Sequence, residues 1–261
     1  MMVHAPFNTT PGTRDPRALT AGAPIVDASV LKAEPVTVPD VEIFHTLIEV
    51  DDRLILPLIP PALHTPLPPM VSFVLWVCPD SSIGPFKLAQ LRVFARLLAR
   101  PRGLLLGSYF EGAADAAEYL RKHWGFGCMP GKVTIQTYND QVVGIVQAEG
   151  RQVLRVSGRD PHAIAPQDVR DMPNCNPVRL RRPEGEYSRL LQVDVEVVLK
   201  EATRSIHPML EQIDGDAWHA PGLRQEYPVR SLHCRGALRL PPPRFLIDPA
   251  LPTDQRSEEI R

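Results

Sequence analysis

Apolar and polar positions alternate along this chain in short runs with two different periods. Val71–Cys78 (VSFVLWVC) is continuously apolar, the pattern of a strand buried on both faces. Gly103–Phe110 (GLLLGSYF) reads as another strand, and Gln90–Leu98 (QLRVFARLL) fits strand or helix. Glu111–His123 (EGAADAAEYLRKH) is the clearest helix, being Ala-rich, with acid first and base last as the helix dipole favours. Lys132–Tyr138, Gln141–Ala148 and Arg151–Gly158 form a predicted meander turning at Asn139-Asp140 and Glu149-Gly150. Leu191–Leu199 (LQVDVEVVL) alternates with period two, with Val193, Val195 and Val197 on one face, as a half-buried strand would. A last strand covers Val229–Leu240 and ends in three prolines.

Residues 1–40 are rich in Pro, Thr, Ala and Gly without sustained periodicity, so a loosely ordered arm is expected there. Residues 41–250 then form the folded domain, and 251–261 a polar, frayed tail. Many strands with one good helix predict an α+β chain that is mostly β, its sheet twisted into a barrel. The 29 prolines exclude a long helical bundle.

Charge narrows the partners. There are 29 Lys+Arg against 30 Asp+Glu, so neither nucleic acid nor an anionic membrane is an expected partner. The N-terminal MMVHAPFNTTPGTRDPR lacks an apolar signal-peptide core, and no apolar stretch is long enough to span a bilayer; a cytosolic protein is expected. Cys78, Cys128, Cys175 and Cys234 are too dispersed for a zinc site, and four reduced, mostly buried thiols are expected. GFGCMPGK lacks the spacing and the Ser/Thr of a phosphate-binding loop, and neither GxSxG nor HExxH occurs. No metal, nucleotide, flavin or other cofactor is indicated. His45 and His233, standing alone, read as satisfied structural residues.

One segment carries candidate chemistry. Lys132, Thr134, Gln136 and Tyr138 share one face of the strand KVTIQTY. Facing solvent, Lys132 is an ordinary surface lysine, the commoner case. Facing into a barrel, it would be desolvated, its neutral form favoured, and able to attack a ketone as a Schiff-base amine. Gln136 and Tyr138 would then be the polar wall of the cavity. Arg92 is a candidate for a substrate carboxylate, because its planar fork pairs bidentately; the alternative is a surface ion pair, the commoner case.

Three segments together resemble the acetoacetate decarboxylase superfamily, over roughly residues 45–250. The first is LIPPALHTPLPPMVSFVLWVCPDSSIGPFKLA, with Gly84-Pro85-Phe86 at its Gly-Pro-aromatic motif. The second is AADAAEYLRKHWGFGCMPGKVTI, similar to that family's Ala-rich helix, aromatic-Gly-aromatic turn and Pro-Lys-Lys strand start. The third is RSLHCRGALRLPPPRFLID, like its closing strand. The resemblance implies a cone-shaped β-barrel with few helices, a homo-oligomer, and Schiff-base chemistry on a small oxo acid or ketone. It implies a lyase (decarboxylase, aldolase or dehydratase) with Lys132 as amine, the divergent members including enzymes of secondary metabolism. The departures are Gly131 at the expected nucleophile and Leu88 at the expected glutamate, with the turn lengthened through Gly127, Cys128 and Met129. Those losses imply the alternative, a non-catalytic member that binds a ligand or serves an assembly.

Overall fold

The computed structural model describes residues 10–31, 33–97, 100–224, 227–251 and 257–259. Its strands are β1 (Ile25–Asp27), β2 (Val36–Glu49), β3 (Met70–Asp80), β4 (Phe86–Leu97), β5 (Arg100–Gly112), β6 (Met129–Pro130), β7 (Lys132–Thr137), β8 (Gln141–Ala148) and β9 (Arg151–Ala163). After these come β10 (Asn174–Arg182), β11 (Gly185–Val193), β12 (Glu196–Ile213), β13 (Tyr227–Leu240), β14 (Phe245–Ile247) and β15 (Ser257–Glu259). The α-helices are α1 (Pro16–Thr20), α2 (Asp52–Ile55) and α3 (Ala114–Trp124). Among the described residues, no helix is long and apolar enough to cross a membrane.

The strands form one mixed sheet in the order β15-β14-β11-β10-β5-β4-β3-β2-β13-β12-β9-β8-β7. The path is open at β15 and β7. The two residues of β6 pair in parallel with β5, and Gly131 alone separates β6 from β7.

Apolar side chains on both faces of the central strands make two separate clusters. Leu75, Ala89 and Tyr109 enter one, with Phe44, Val133 and Trp218. Their chain neighbours Trp76, Leu88 and Phe110 enter the other, with Trp124 and Phe126. Successive side chains leave opposite faces of a strand, so a strand covered on both sides needs a continuous apolar run. That requirement is what VSFVLWVC met in the sequence.

Helix α3 begins three residues after the expected start. Glu111 and Gly112 instead complete β5, where Lys87 and Glu111 are cross-strand partners. Ala116, Leu120 and Trp124 repeat every four residues and form its buried stripe. Gly125 ends it at φ +68°, where an added Cβ would lie 2.3 Å from Val178.

The Leu191–Leu199 strand is divided: β11 stops at Val193 and β12 starts at Glu196. Gln192 donates to Asp194 Oδ1 at 2.8 Å across the break. Residues 10–40, expected as a loose arm, carry α1, β1 and the start of β2, and β1 pairs with β10. The chain is anchored there by amides of Gly12, Thr13 and Arg14 donating to carbonyls of Leu63, Leu56 and Ile59. Of the expected tail, 252–256 and 260–261 lie outside the described residues, and Ser257–Glu259 pairs with β14.

Candidate functional site

Register decides where the sequence candidates go. In the β7–β8 ladder Val133 faces Val146, and both are fully buried. Alternation then turns Lys132 outward, and it is exposed. Gln136 and Tyr138 are exposed too, and the Tyr138 hydroxyl donates to Gln136 Oε1 at 3.0 Å. Of the two orientations the pattern allowed, Lys132 takes the solvent-facing one.

Lys132 nevertheless has charged company. Lys87 Nζ lies 3.0 Å from Glu111 Oε1, and Glu111 Oε2 accepts the Val133 amide at 2.8 Å. Burial pushes the Glu111 carboxyl up, but that amide, Lys87 and the charge of Lys132 outweigh it and hold it below its ordinary value.

The family-motif positions are filled by packing. Leu88 is fully buried beside Trp76 and Phe110. A Cβ on Gly131 would lie 2.8 Å from the Tyr109 ring. Leu88 and Tyr109 belong to different apolar clusters, so that register brings no pair of groups together. Cys128 does share a cluster with Leu88, but burial pushes its thiol up to about 12, which leaves no thiolate to attack.

Arg92 is different: it has no exposed surface. It follows a β-bulge between β4 and β5, and it fits because position 103 is glycine; a Cβ there would lie 3.2 Å from Arg92 Cδ. Its Nη2 and Nη1 donate to the two oxygens of Asp171 at 2.9 and 3.3 Å. Nη1 also donates to Asn174 Oδ1 at 2.9 Å, and Nε to Ser72 Oγ at 3.3 Å. Asn174 Nδ2 in turn donates to Gln90 Oε1 at 2.8 Å. Arg92 thus holds a carboxylate bidentately, as its side-chain chemistry suggested, but the carboxylate is the chain's own.

Asp171 lines a cavity of about 430 Å³ between β2, β3, β12, β13 and the 166–171 segment. Its walls include Trp76, Val195, Val197 and Leu199, so the valine face of the divided strand lines it. His45 also lines it, is 7 % exposed, and has a buried Nε2 without a hydrogen-bond partner. Burial, then the charge of Arg92, lowers its pKa to about 3, although Asp171 pulls the other way. The imidazole is therefore neutral at physiological pH. Asp171 keeps 26 % of its side-chain surface exposed at the cavity edge. Burial raises its pKa, but the charge and hydrogen bonds of Arg92 and the Met172 amide outweigh this and the net shift is downward. His233, by contrast, is satisfied as expected, with Nε2 2.8 Å from Glu42 Oε1.

Among the described residues, no lysine lines this cavity. Lys122 and Lys200 are exposed like Lys132, Lys87 is half-buried in its ion pair, and Lys32 lies outside the described residues. The four cysteines are buried and free, as expected. Sequence reasoning missed Asp171 as the partner of Arg92 and His45 as part of the cavity wall. The one signal at hand was a histidine inside the apolar run IFHTLI.

The fold has counterparts among solved structures. An acetoacetate decarboxylase from Legionella pneumophila matches 81 % of this chain and 86 % of its own, with TM-score 0.71 and 20 % identity. An acetoacetate decarboxylase-like enzyme from Sphingomonas wittichii matches 82 % of this chain and 93 % of its own, with TM-score 0.61 and 14 % identity. The enduracididine biosynthesis enzyme MppR complexed with pyruvate matches 81 % of this chain and 90 % of its own, with TM-score 0.63 and 15 % identity. No family model and no curated protein matches the sequence. The chain has the acetoacetate decarboxylase-like fold.

Proposed function

We propose that this chain is a divergent acetoacetate decarboxylase-like protein that binds a small oxo acid or ketone in the His45–Asp171 cavity and has lost Schiff-base lyase chemistry. One observation carries the reading. The cavity is lined by the neutral His45 imidazole and by Asp171, whereas no described lysine lines it. Polar groups set in an apolar wall are what orients a small polar ligand. Arg170 also lines the cavity and would take the carboxylate of an oxo acid. The apolar walls suit the carbon skeleton. In this reading the sheet forms a cone-shaped barrel, completed by β6 on β5; the homo-oligomeric state implied by the resemblance and the cytosolic location expected from the sequence are retained as parts of the proposal.

Because Trp76 lines the cavity, a ligand should change tryptophan fluorescence. Titration with pyruvate, acetoacetate and 2-hexanone is expected to give a saturable change with at least one of them. Val197→Trp, which fills the cavity, should weaken it by about tenfold or more, and Lys132→Ala should leave it unchanged. Binding that survives both Val197→Trp and His45→Leu would overturn the assignment.

The lyase reading has one observation of its own, the approach of Lys132 and Lys87 to Glu111. It requires an exposed amine to act, and turnover of an oxo acid that disappears in Lys132→Ala would establish it.

A further inference from the structure

We infer that a second cavity, separate from the His45–Asp171 site, binds a small organic carboxylate through Arg14 and Arg121. This cavity has a volume of about 290 Å³. It lies between the N-terminal segment, β5 and the C-terminal end of α3. Its charged and titratable lining is Arg14, Arg121 and His219, with no acidic residue among the described residues that line it.

Arg14 is the stronger half of the argument. Its Nε is buried and has no hydrogen-bond partner. Arg14 also lines the cavity, and the planar fork of its guanidinium matches the two oxygens of a carboxylate. The backbone holds Arg14 in place: its amide donates to the Ile59 carbonyl at 2.9 Å, and Asp15 caps α1 immediately afterwards. Arg121 is fixed at the last turn of α3 by donation to the Gly127 carbonyl. Its nearest acid, Glu118, lies 3.7 Å from its Nε on the exposed helix surface, outside the cavity lining. Ser108 lines the cavity as well; it accepts the Cys128 amide at 3.0 Å, and its own hydroxyl hydrogen can be donated to an anion.

The rest of the wall sets the ligand class. Leu19, Leu58, Leu105 and Met129 are apolar, so the anion should carry a short hydrocarbon body. Inorganic phosphate would satisfy the arginines and leave that wall unused.

The test uses the full-length protein and calorimetric titration with hexanoate, 1-hexanol and inorganic phosphate. Hexanoate is expected to bind at one site, with the other two at least about tenfold weaker, since a charge-assisted bidentate pair discriminates by that much or more. Arg14→Gln should weaken hexanoate about tenfold or more, and Arg14→Lys should recover only part of the loss. Gly22→Trp gives a second variant that keeps the fold. Gly22 lines the cavity, and a Cβ there meets nothing within 4 Å, so the backbone accepts a side chain and the indole is placed to fill part of the cavity. It should also weaken hexanoate, while Val197→Trp in the other cavity should not. Equal binding of hexanoate and 1-hexanol, preference for phosphate, or hexanoate binding unchanged by both Arg14→Gln and Gly22→Trp would overturn the inference.

Discussion

Two charged clusters of this molecule use the same kinds of group and behave differently. Lys87, Glu111 and Lys132 meet at the surface, with the Lys87 and Glu111 side chains 33 % and 35 % exposed. Arg92, Asp171, Asn174 and Gln90 meet in the interior, where Arg92 has no exposed surface. Water screens the first cluster, and its ion pair is worth little. In the second, each hydrogen bond replaces a lost hydration shell, and removal of one member strands the others. The surface cluster holds the candidate lysine, and the buried cluster borders the cavity through Asp171.

The contrast is broken most strongly at Asp171. Asp171→Ala leaves the buried Arg92 charge without its carboxylate and should destabilise the fold by about 3 kcal/mol, read from urea denaturation at pH 7. A loss below about 1 kcal/mol would show that water reaches Arg92 freely.

Acid should come next. His45 has its pKa lowered from 6.5 to about 3 in the folded chain, so the unfolded chain binds the extra proton. Stability is full above pH 6.5 and is lost as pH falls below it. Between pH 7 and pH 5 the His45 contribution should fall by about 2 kcal/mol, at roughly 1.4 kcal/mol per pH unit below 6.5. His45→Leu should flatten that dependence, whereas Lys132→Ala should leave it intact. The comparison needs only urea denaturation of the three proteins at both pH values.

Packing around Gly131 gives a smaller effect. Gly131→Ala puts a Cβ 2.8 Å from the Tyr109 ring and should cost about 1–2 kcal/mol. An unchanged thermal midpoint would mean that this position has room for a side chain. The smallest effect belongs to the surface cluster, where Lys87→Ala should change stability by less than about 1 kcal/mol, and less still in high salt.

Much of the fold was legible where local pattern and tertiary burial agree. The continuous apolar run of β3, the acid-first and base-last α3 and the β7–β9 meander each carry their own signal. Strand β2 did not, because Pro39 and Asp40 interrupt the alternation that buries Val36 and Val38, and β12, 18 residues long, continues well past the alternation that marked its start. The site was legible only in part. Arg92 was found from its chemistry, but its partner lies 79 residues away in a segment without regular structure, and no local pattern announces such a pair. His45 was read as satisfied because histidines usually are; its bare Nε2 depends on what five separate segments leave unfilled around it. The outward turn of Lys132 depends on strand register, where a shift of one residue exchanges the faces.

The measurement closest to the central claim is borohydride reduction in the presence of pyruvate or acetoacetate, followed by intact-mass analysis and peptide mapping. A lysine Schiff base would be fixed as a stable secondary amine. The account predicts no adduct on Lys132 in protein that still shows saturable binding by tryptophan fluorescence. A stoichiometric adduct mapped to Lys132, lost in Lys132→Ala, would contradict it.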